Sequence, residues 1–269
     1  MTRLTGLWTF SLLTLSPLLL SAGCGDDDGF VPDDAGDLAD AAAPDASADD
    51  AGVDDRRFAA LVRGTLFTDD LAMAQARHDM LAAGGESAAR DAGDTGHDAM
   101  LGTTLLGTTE NAFVGLDQWN SLMGMTTFYD NPDFAAAFGM LFDGAPNLEF
   151  FQTAGFHEWG DLASGDAGGD HVFVVVRGRL AEADLDAARM AHDAVAAGGE
   201  EMVRAAGDVA HVAFVGLTDT QEFFAIDIWN DTTNLEAVYT DPDFQAAFGS
   251  LFSAPPTIAV HASTEWHQW

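Results

Sequence analysis

The sequence predicts an α+β fold: two β-α-β-β-α-β units, one in each half of the chain, whose sheets close on each other as a barrel. Three observations carry this. The chain repeats itself at long range. Each copy alternates strand and helix patterns in that order. Each copy also leaves one sheet face apolar with no helix to cover it.

The repeat is explicit. "NPDFAAAFGMLF" at 131–142 returns as "DPDFQAAFGSLF" at 241–252, "DQWN" at 117–120 as "DIWN" at 227–230, and "FHEW" at 156–159 as "WHQW" at 266–269. The displacement is 114 positions up to about position 104 and 110 beyond it, so the first copy carries four extra residues around Leu105–Thr108. A period this long marks duplicated domains rather than a solenoid. The copies are placed at 57–160 and 171–269, joined by "GDLASGDAGGD". The extra residues are expected to make the two halves' pockets unequal.

The second copy shows the elements most cleanly. "HVFVVVRGRL" (171–180) is β-branched and short, a strand. The segment 184–208 places Leu185, Ala188, Val195 and Val203 on a helical period. Its Gly198-Gly199, like Gly84-Gly85 in the first copy, is expected to kink or break the helix. "HVAFVGL" (211–217) and "FFAIDIW" (223–229) form a hairpin across a short turn. Residues 232–239 read as helix, Asp241 caps a second helical piece with Pro242 at its first position, and 257–269 is a final strand. This order is the split βαβ, or ferredoxin-like, unit: four antiparallel strands with the helices on one face. The bare faces of two such sheets cover each other, so the duplication supplies the partner sheet within one chain. An intramolecular pseudo-dimer, monomeric as a chain, is expected.

Composition excludes several partners. The chain has 44 acidic residues, 10 arginines and no lysine, a formal charge of -34. Such a charge repels nucleic acid and anionic headgroups. Residues 25–55 hold twelve aspartates and no base. That segment has too little apolar surface to offset its ordering entropy and reads as a disordered tether (24–56 with Cys24) spanning roughly 30 Å.

The N-terminus, residues 1–23, has one base, Arg3, an apolar run to Leu20 broken by Pro17, and then small residues, the layout of an export signal. "LSAGC" ends in the single cysteine, Cys24, and resembles a bacterial lipobox, with Ser21 where that pattern prefers leucine. The resemblance implies lipidation of Cys24 and anchoring in the cell envelope, with membrane contact through the lipid alone. Gly25, rather than an aspartate, follows the cysteine, so the outer membrane or cell surface is expected. An ordinary signal peptide with an incidental cysteine is the alternative.

"FFAIDIWNDTTNLEAVYTDPDFQAAF" resembles the strand-to-helix signature of antibiotic-biosynthesis-monooxygenase-like (ABM) domains of the dimeric α/β-barrel superfamily. Asp227, Trp229, Asp241, Pro242 and Phe244 carry the match, with Asp117, Trp119, Asn131, Pro132 and Phe134 in the first copy. The resemblance implies a cofactor-free monooxygenase acting with O₂ on a small phenolic or quinol-like substrate. Where many members carry a histidine, Tyr129 and Tyr239 stand here. Phe138 and Phe248 occupy the axial-histidine place of the haem-degrading branch, which argues against haem degradation.

Within this frame His97 and His211 are candidate general bases. Arg63 and Arg177 are candidates to hold a phenolic or anionic oxygen. Trp119, Trp229, Asp117, Asp227, Tyr129 and Tyr239 are candidates to bind a small aromatic ligand. A structural reading stands beside each: an Arg177–Asp227 bridge between neighbouring strands, barrel packing for the tryptophans, a core-edge role for the histidines. His78, His192, His157 and His267 read as buried or edge residues, and no metal-ligand spacing is found. By period two, Asp227 and Trp229 are expected to face the barrel interior, with Phe224, Ile226 and Ile228 under the helices. A non-catalytic ligand-binding or structural surface lipoprotein is the alternative function.

Overall fold

A computed structural model describes residues 56–162, 171–230 and 232–269. The segments expected to form an export signal and an acidic tether, with Cys24, and most of the Gly/Asp-rich link lie outside the described residues. The first half contains β1 (Phe58–Gly64), α1 (Leu71–Ala92), β2 (Asp94–Gly102), β3 (Phe113–Trp119), α2 (Leu122–Tyr129), α3 (Pro132–Gly139) and β4 (Asn147–Thr153). The second repeats the order as β5 (Val172–Arg179), α4 (Leu185–Ala206), β6 (Asp208–Gly216), β7 (Glu222–Trp229), α5 (Thr232–Thr240), α6 (Pro242–Gly249) and β8 (Thr257–Ser263).

Local chemistry sets the helix ends. Asp70 caps α1 by accepting from the Ala72 and Met73 amides, and Gly93 ends it at φ 107°. Asp184 and Gly207 do the same for α4. Asn131 and Asp241 cap α3 and α6, each followed by proline at the first helical position. The glycine pairs break neither long helix: α1 and α4 run unbroken through Gly84-Gly85 and Gly198-Gly199. The cost of about 1 kcal/mol per glycine is met by the caps and by packing of the flanking turns.

The eight strands close as an antiparallel barrel in the order β1-β3-β2-β8-β5-β7-β6-β4 and back to β1. Each half contributes the ferredoxin-like order 4-1-3-2. The seams are short: β2 meets β8 from Met100↔Ser263 to Gly102↔His261, and β4 meets β6 from Phe151↔Gly216 to Thr153↔Phe214. The four extra residues of the first half lie at the first of these seams, not beside a pocket. They form a 3₁₀ turn, Leu105–Gly107, and Thr108 Oγ1 accepts from the Val260 amide of β8 at 2.7 Å.

The two faces of the sheet are the reverse of the sequence expectation. Phe224, Ile226 and Ile228 fill the barrel interior together with Leu61, Leu116 and Phe151 from the other half. Phe223, Ala225 and Trp229 pack under the helices. The middle of a closed barrel is shut off from water, so it takes the uniformly apolar set, each large side chain contributing about 1.5–3 kcal/mol on burial. The Asp, His and Tyr side chains of the repeated signature go to the face under the helices, while Asp98 and His261 are the buried polar residues on the barrel side.

The arginines follow the same parity. Arg63 alternates with Ala59 and Leu61, and Arg177 with Phe173 and Val175, so both project into one end of the barrel. There they share one carboxylate: Arg63 Nη2 donates to Glu149 Oε2 at 2.7 Å and Arg177 Nη2 donates to Glu149 Oε1. The expected Arg177–Asp227 bridge is not formed, because Asp227 points to the opposite face. Glu149 has no counterpart in the second half, where Ala259 stands in its place.

Candidate active site

Under the helices of each half lies a hydrogen-bonded line of side chains. In the second half, Tyr239 OH donates to Asp227 Oδ2 at 2.6 Å, and His211 Nδ1 meets Asp227 Oδ1 at 2.5 Å. His211 Nε2 meets His192 Nε2 at 3.2 Å, and His192 Nδ1 meets Asp193 Oδ1 at 3.2 Å. The first half repeats this with Tyr129, Asp117, His97, His78 and Asp79; the His78–His97 contact is 3.1 Å and His78–Asp79 is 3.2 Å. The strands place the members: His97 pairs across the ladder with Asp117, and His211 with Asp227. The tyrosines descend from α2 and α5, and His78 and His192 from the buried stripes of α1 and α4.

Electrostatics sorts the protons along this line. Burial is the largest influence on His97 and pulls it down, but the charge and hydrogen bond of Asp117, with Asp94 and Asp98, outweigh it and raise the imidazole above its ordinary value. Burial, and then the neighbouring His97 or His211, pulls His78 and His192 down to about 4. Burial and then the adjacent aspartate hold both tyrosine hydroxyls far above the phenol range, so they donate.

Asp94 and Asp208, at the first positions of β2 and β6, join the pockets. Burial first, then Asp117 or Asp227, pushes them up to about 8 and about 9. Each closes a bulge by accepting from the amide two residues on, at 3.0 and 3.1 Å. They were legible in the sequence as a pair displaced by 114, at the helix-to-strand "GD".

Each line opens onto a cavity between sheet and helices. The first has an empty volume of about 550 Å³ counting the solvent at its mouth, the second about 510 Å³. Beside His97, Asp117, Asp94 and Tyr129, the first is walled by Leu81, Phe113, Phe134, Phe138, Leu141 and Trp269. Gly85 and Gly199 line the two cavities, where no side chain occupies the helix surface.

The tryptophans that cover the histidines are not the expected pair. Trp229 lines the second cavity, and Trp119 packs behind Tyr129 with its ring 6.1 Å away. The rings stacked on His97 and His211 are Trp269 (4.5 Å) and Trp159 (4.6 Å). The final strand stops at Ser263, and the tail beyond it crosses to the first half, where the His267 amide donates to Asp79 and its ring meets Glu86 at 3.0 Å. The 156–159 arm crosses the other way, His157 engaging Asp193 and Glu200 on α4. The sequence signal was the repeated aromatic-His-polar-Trp ending. Of the candidate residues, the structure brings together His97, Asp117 and Tyr129, and His211, Asp227, Tyr239 and Trp229. It does not bring Arg63 or Arg177 to either pocket.

No family model and no curated protein sequence matches the chain. Among solved structures, it is similar to an anthrone oxidase-like protein at 16% identity and TM-score 0.56, over 81% of this chain and 94% of that one. It is also similar to a candidate monooxygenase from Fusobacterium nucleatum at 8% identity and TM-score 0.54, over 79% and 97%. At these identities the likeness establishes the fold alone, an α+β chain with a closed eight-stranded antiparallel barrel.

Proposed function

We propose that this is a lipid-anchored protein of the bacterial cell envelope, with tandem ABM-like domains at 57–160 and 171–269, that oxidises a small phenolic or quinol-like substrate with O₂ and no cofactor. The observation that carries the reading is a Tyr–Asp–His line opening on an aromatic-walled cavity, built twice. Asp117 or Asp227 takes the substrate proton, relayed by the Tyr129 or Tyr239 hydroxyl, and the adjacent His97 or His211 ring, hydrogen-bonded to that carboxylate, holds it in place. The deprotonated, electron-rich ring is what O₂ oxidises. For a ring-activated methylene, CH₂ + O₂ → C=O + H₂O balances with no external reductant. The aromatic walls and the stacked Trp269 and Trp159 favour a planar apolar ligand. The monooxygenase-like neighbours share this fold.

Oxygen uptake by the purified full-length protein, with a panel of phenols and quinols and with Asp117→Asn/Asp227→Asn as control, tests it. Uptake abolished in the double variant supports the reading. Thermal stabilisation by a phenol with no uptake moves the protein to the second reading, a ligand carrier. One observation favours that second reading: both ring nitrogens of His97 and of His211 are already engaged, so neither is free to face a ligand.

A further inference from the structure

Each pocket's line does not stop at the dyad. His78 and His192 continue it to Asp79 and Asp193, whose side chains are 36% and 37% exposed. We propose that His78 and His192 are proton-transfer residues, carrying a proton between the buried Asp–His pairs and the surface carboxylates Asp79 and Asp193.

The argument is one of lone pairs. His97 and His78 each hold a carboxylate at Nδ1, Asp117 on one and Asp79 on the other. A carboxylate there fixes Nδ1 as the N–H. Both Nε2 atoms would then present lone pairs to each other across 3.1 Å. The contact is satisfied only by one further proton between them, an imidazolium donating to an imidazole. The rings meet end to end: their planes differ by 15° and their centroids are 5.2 Å apart, the Nε2 separation plus a ring radius at each side. A cation held at 2.0–2.1 Å from both nitrogens would need the lone pairs to converge at an angle, and here they point at each other. The second half repeats the arrangement at 3.2 Å, 5.3 Å and 15°.

Transfer outward is balanced. His97 gives its Nε2 proton to His78 Nε2, His78 gives its Nδ1 proton to Asp79, and Asp79 releases it to water, while the pocket end regains one proton at Asp117. The ionisable groups facing His78 are Asp79 on its own helix, His97 on β2 and Asp117 on β3. Outside the cavity that it lines, His78 packs against Phe113 and Trp266, and His192 against Phe223 and Phe156. Away from the cavity, which His78 and His192 also line, the outlet of each line is the carboxylate that also accepts the arm amide of His267 or His157. This inference rests on the proposed acid–base role of the pockets for its use, but not for its test.

The test needs no substrate. In protein labelled with ¹⁵N at histidine, the exchange of the His211 Nε2 proton with solvent is measured in the free protein, with His97 of the untouched first half as internal reference. His192→Gln and Asp193→Asn each keep an oxygen acceptor in place and cannot pass a proton on. Exchange at His211 slowed by about tenfold or more in both, with His97 unchanged, is the expected result. Exchange at His211 that stays at the His97 rate in either variant overturns the proposal. Asp193→Asn, at a partly exposed helix position, keeps the experiment decisive should His192→Gln disturb the fold. Absence of oxygen uptake with every phenol would sink the proposed enzyme activity and leave this measurement standing.

Discussion

Trp159 lies over the imidazole of His211, ring centroids 4.6 Å apart and planes 27° from parallel, although the two residues belong to opposite halves of the chain. Their backbones are bridged as well, the His211 amide donating to the Trp159 carbonyl at 2.8 Å. Trp269 and His97 repeat the relationship in the other direction. Each half therefore supplies the wall of the other half's pocket, which gives the duplication a function beyond closing the barrel.

Trp159→Ala should injure the second pocket and spare the first. Trp159 is buried, and truncating a buried aromatic costs about 3–5 kcal/mol. Calorimetric titration with a phenol that stabilises the native protein should then show one of two sites weakened tenfold or more. Equal weakening of both sites would contradict the exchange of arms.

The helix glycines should matter for access rather than for bending. Gly199 lines the second cavity, and a Cβ placed on it meets nothing within 4 Å. Gly199→Ala should raise stability by about 0.5–1 kcal/mol by removing backbone freedom from the unfolded chain. Gly199→Leu should keep the melting temperature and close the cavity, so that one of two phenol sites disappears. If either substitution lowers the melting temperature, the glycine is there for a backbone reason that its helical geometry does not show.

How much of this was legible in the sequence follows from where the polarity contrast lay. Asp241-Pro242 announced a capped helix start, and the element order of both halves announced the sheet order, because these are local signals. Period two on β7 separated Phe224, Ile226 and Ile228 from Phe223, Asp227 and Trp229, but both sets are buried, so nothing in the pattern said which lay inside. Comparing the halves drew attention to the paired arginines. The same comparison hid their partner, since Glu149 faces Ala259 in the alignment of the two copies. The Tyr, Asp and His of each pocket were visible as repeated residues. Their assembly with His78, His192 and the crossed tryptophans was not, because it depends on where the chain goes after each final strand.

Glu149 should be a stability residue and not a pocket residue. Its removal leaves Arg63 and Arg177 facing each other in the barrel end; Arg63 already disfavours the charge on Arg177, second only to burial. These side chains keep roughly a quarter to a third of their exposure, so the cost of Glu149→Ala is about 1–2 kcal/mol, well below that of breaking a fully buried pair. Chemical denaturation should read this loss, while phenol binding in both cavities stays native. Loss of binding would place the arginines back in the site.

The buried carboxyls Asp94 and Asp208 set the response to alkali. Their folded values, about 8 and about 9, lie above the ordinary 3.8, so the folded protein holds two protons that the unfolded chain has released. A raised value means stability is full below pH 3.8 and is lost as pH rises toward 8 to 9. His78, His192 and His261 act in the opposite sense: with folded values near 4 against 6.5, they contribute stability above pH 6.5 that is lost as pH falls toward 4. Between 4 and 6.5 the two groups oppose each other. Above 6.5 the carboxyls act without that opposition, and His97, also raised, adds to their slope. The melting temperature should therefore peak near pH 6 and fall through pH 8, each carboxyl contributing up to about 1.4 kcal/mol per pH unit. Asp94→Asn and Asp208→Asn mimic the protonated form and should flatten this fall, most clearly when combined. A melting temperature independent of pH between 6.5 and 8.5, or a fall as steep in the double variant as in the native protein, would show that these carboxyls ionise in the folded state and that the pockets hold no such protons.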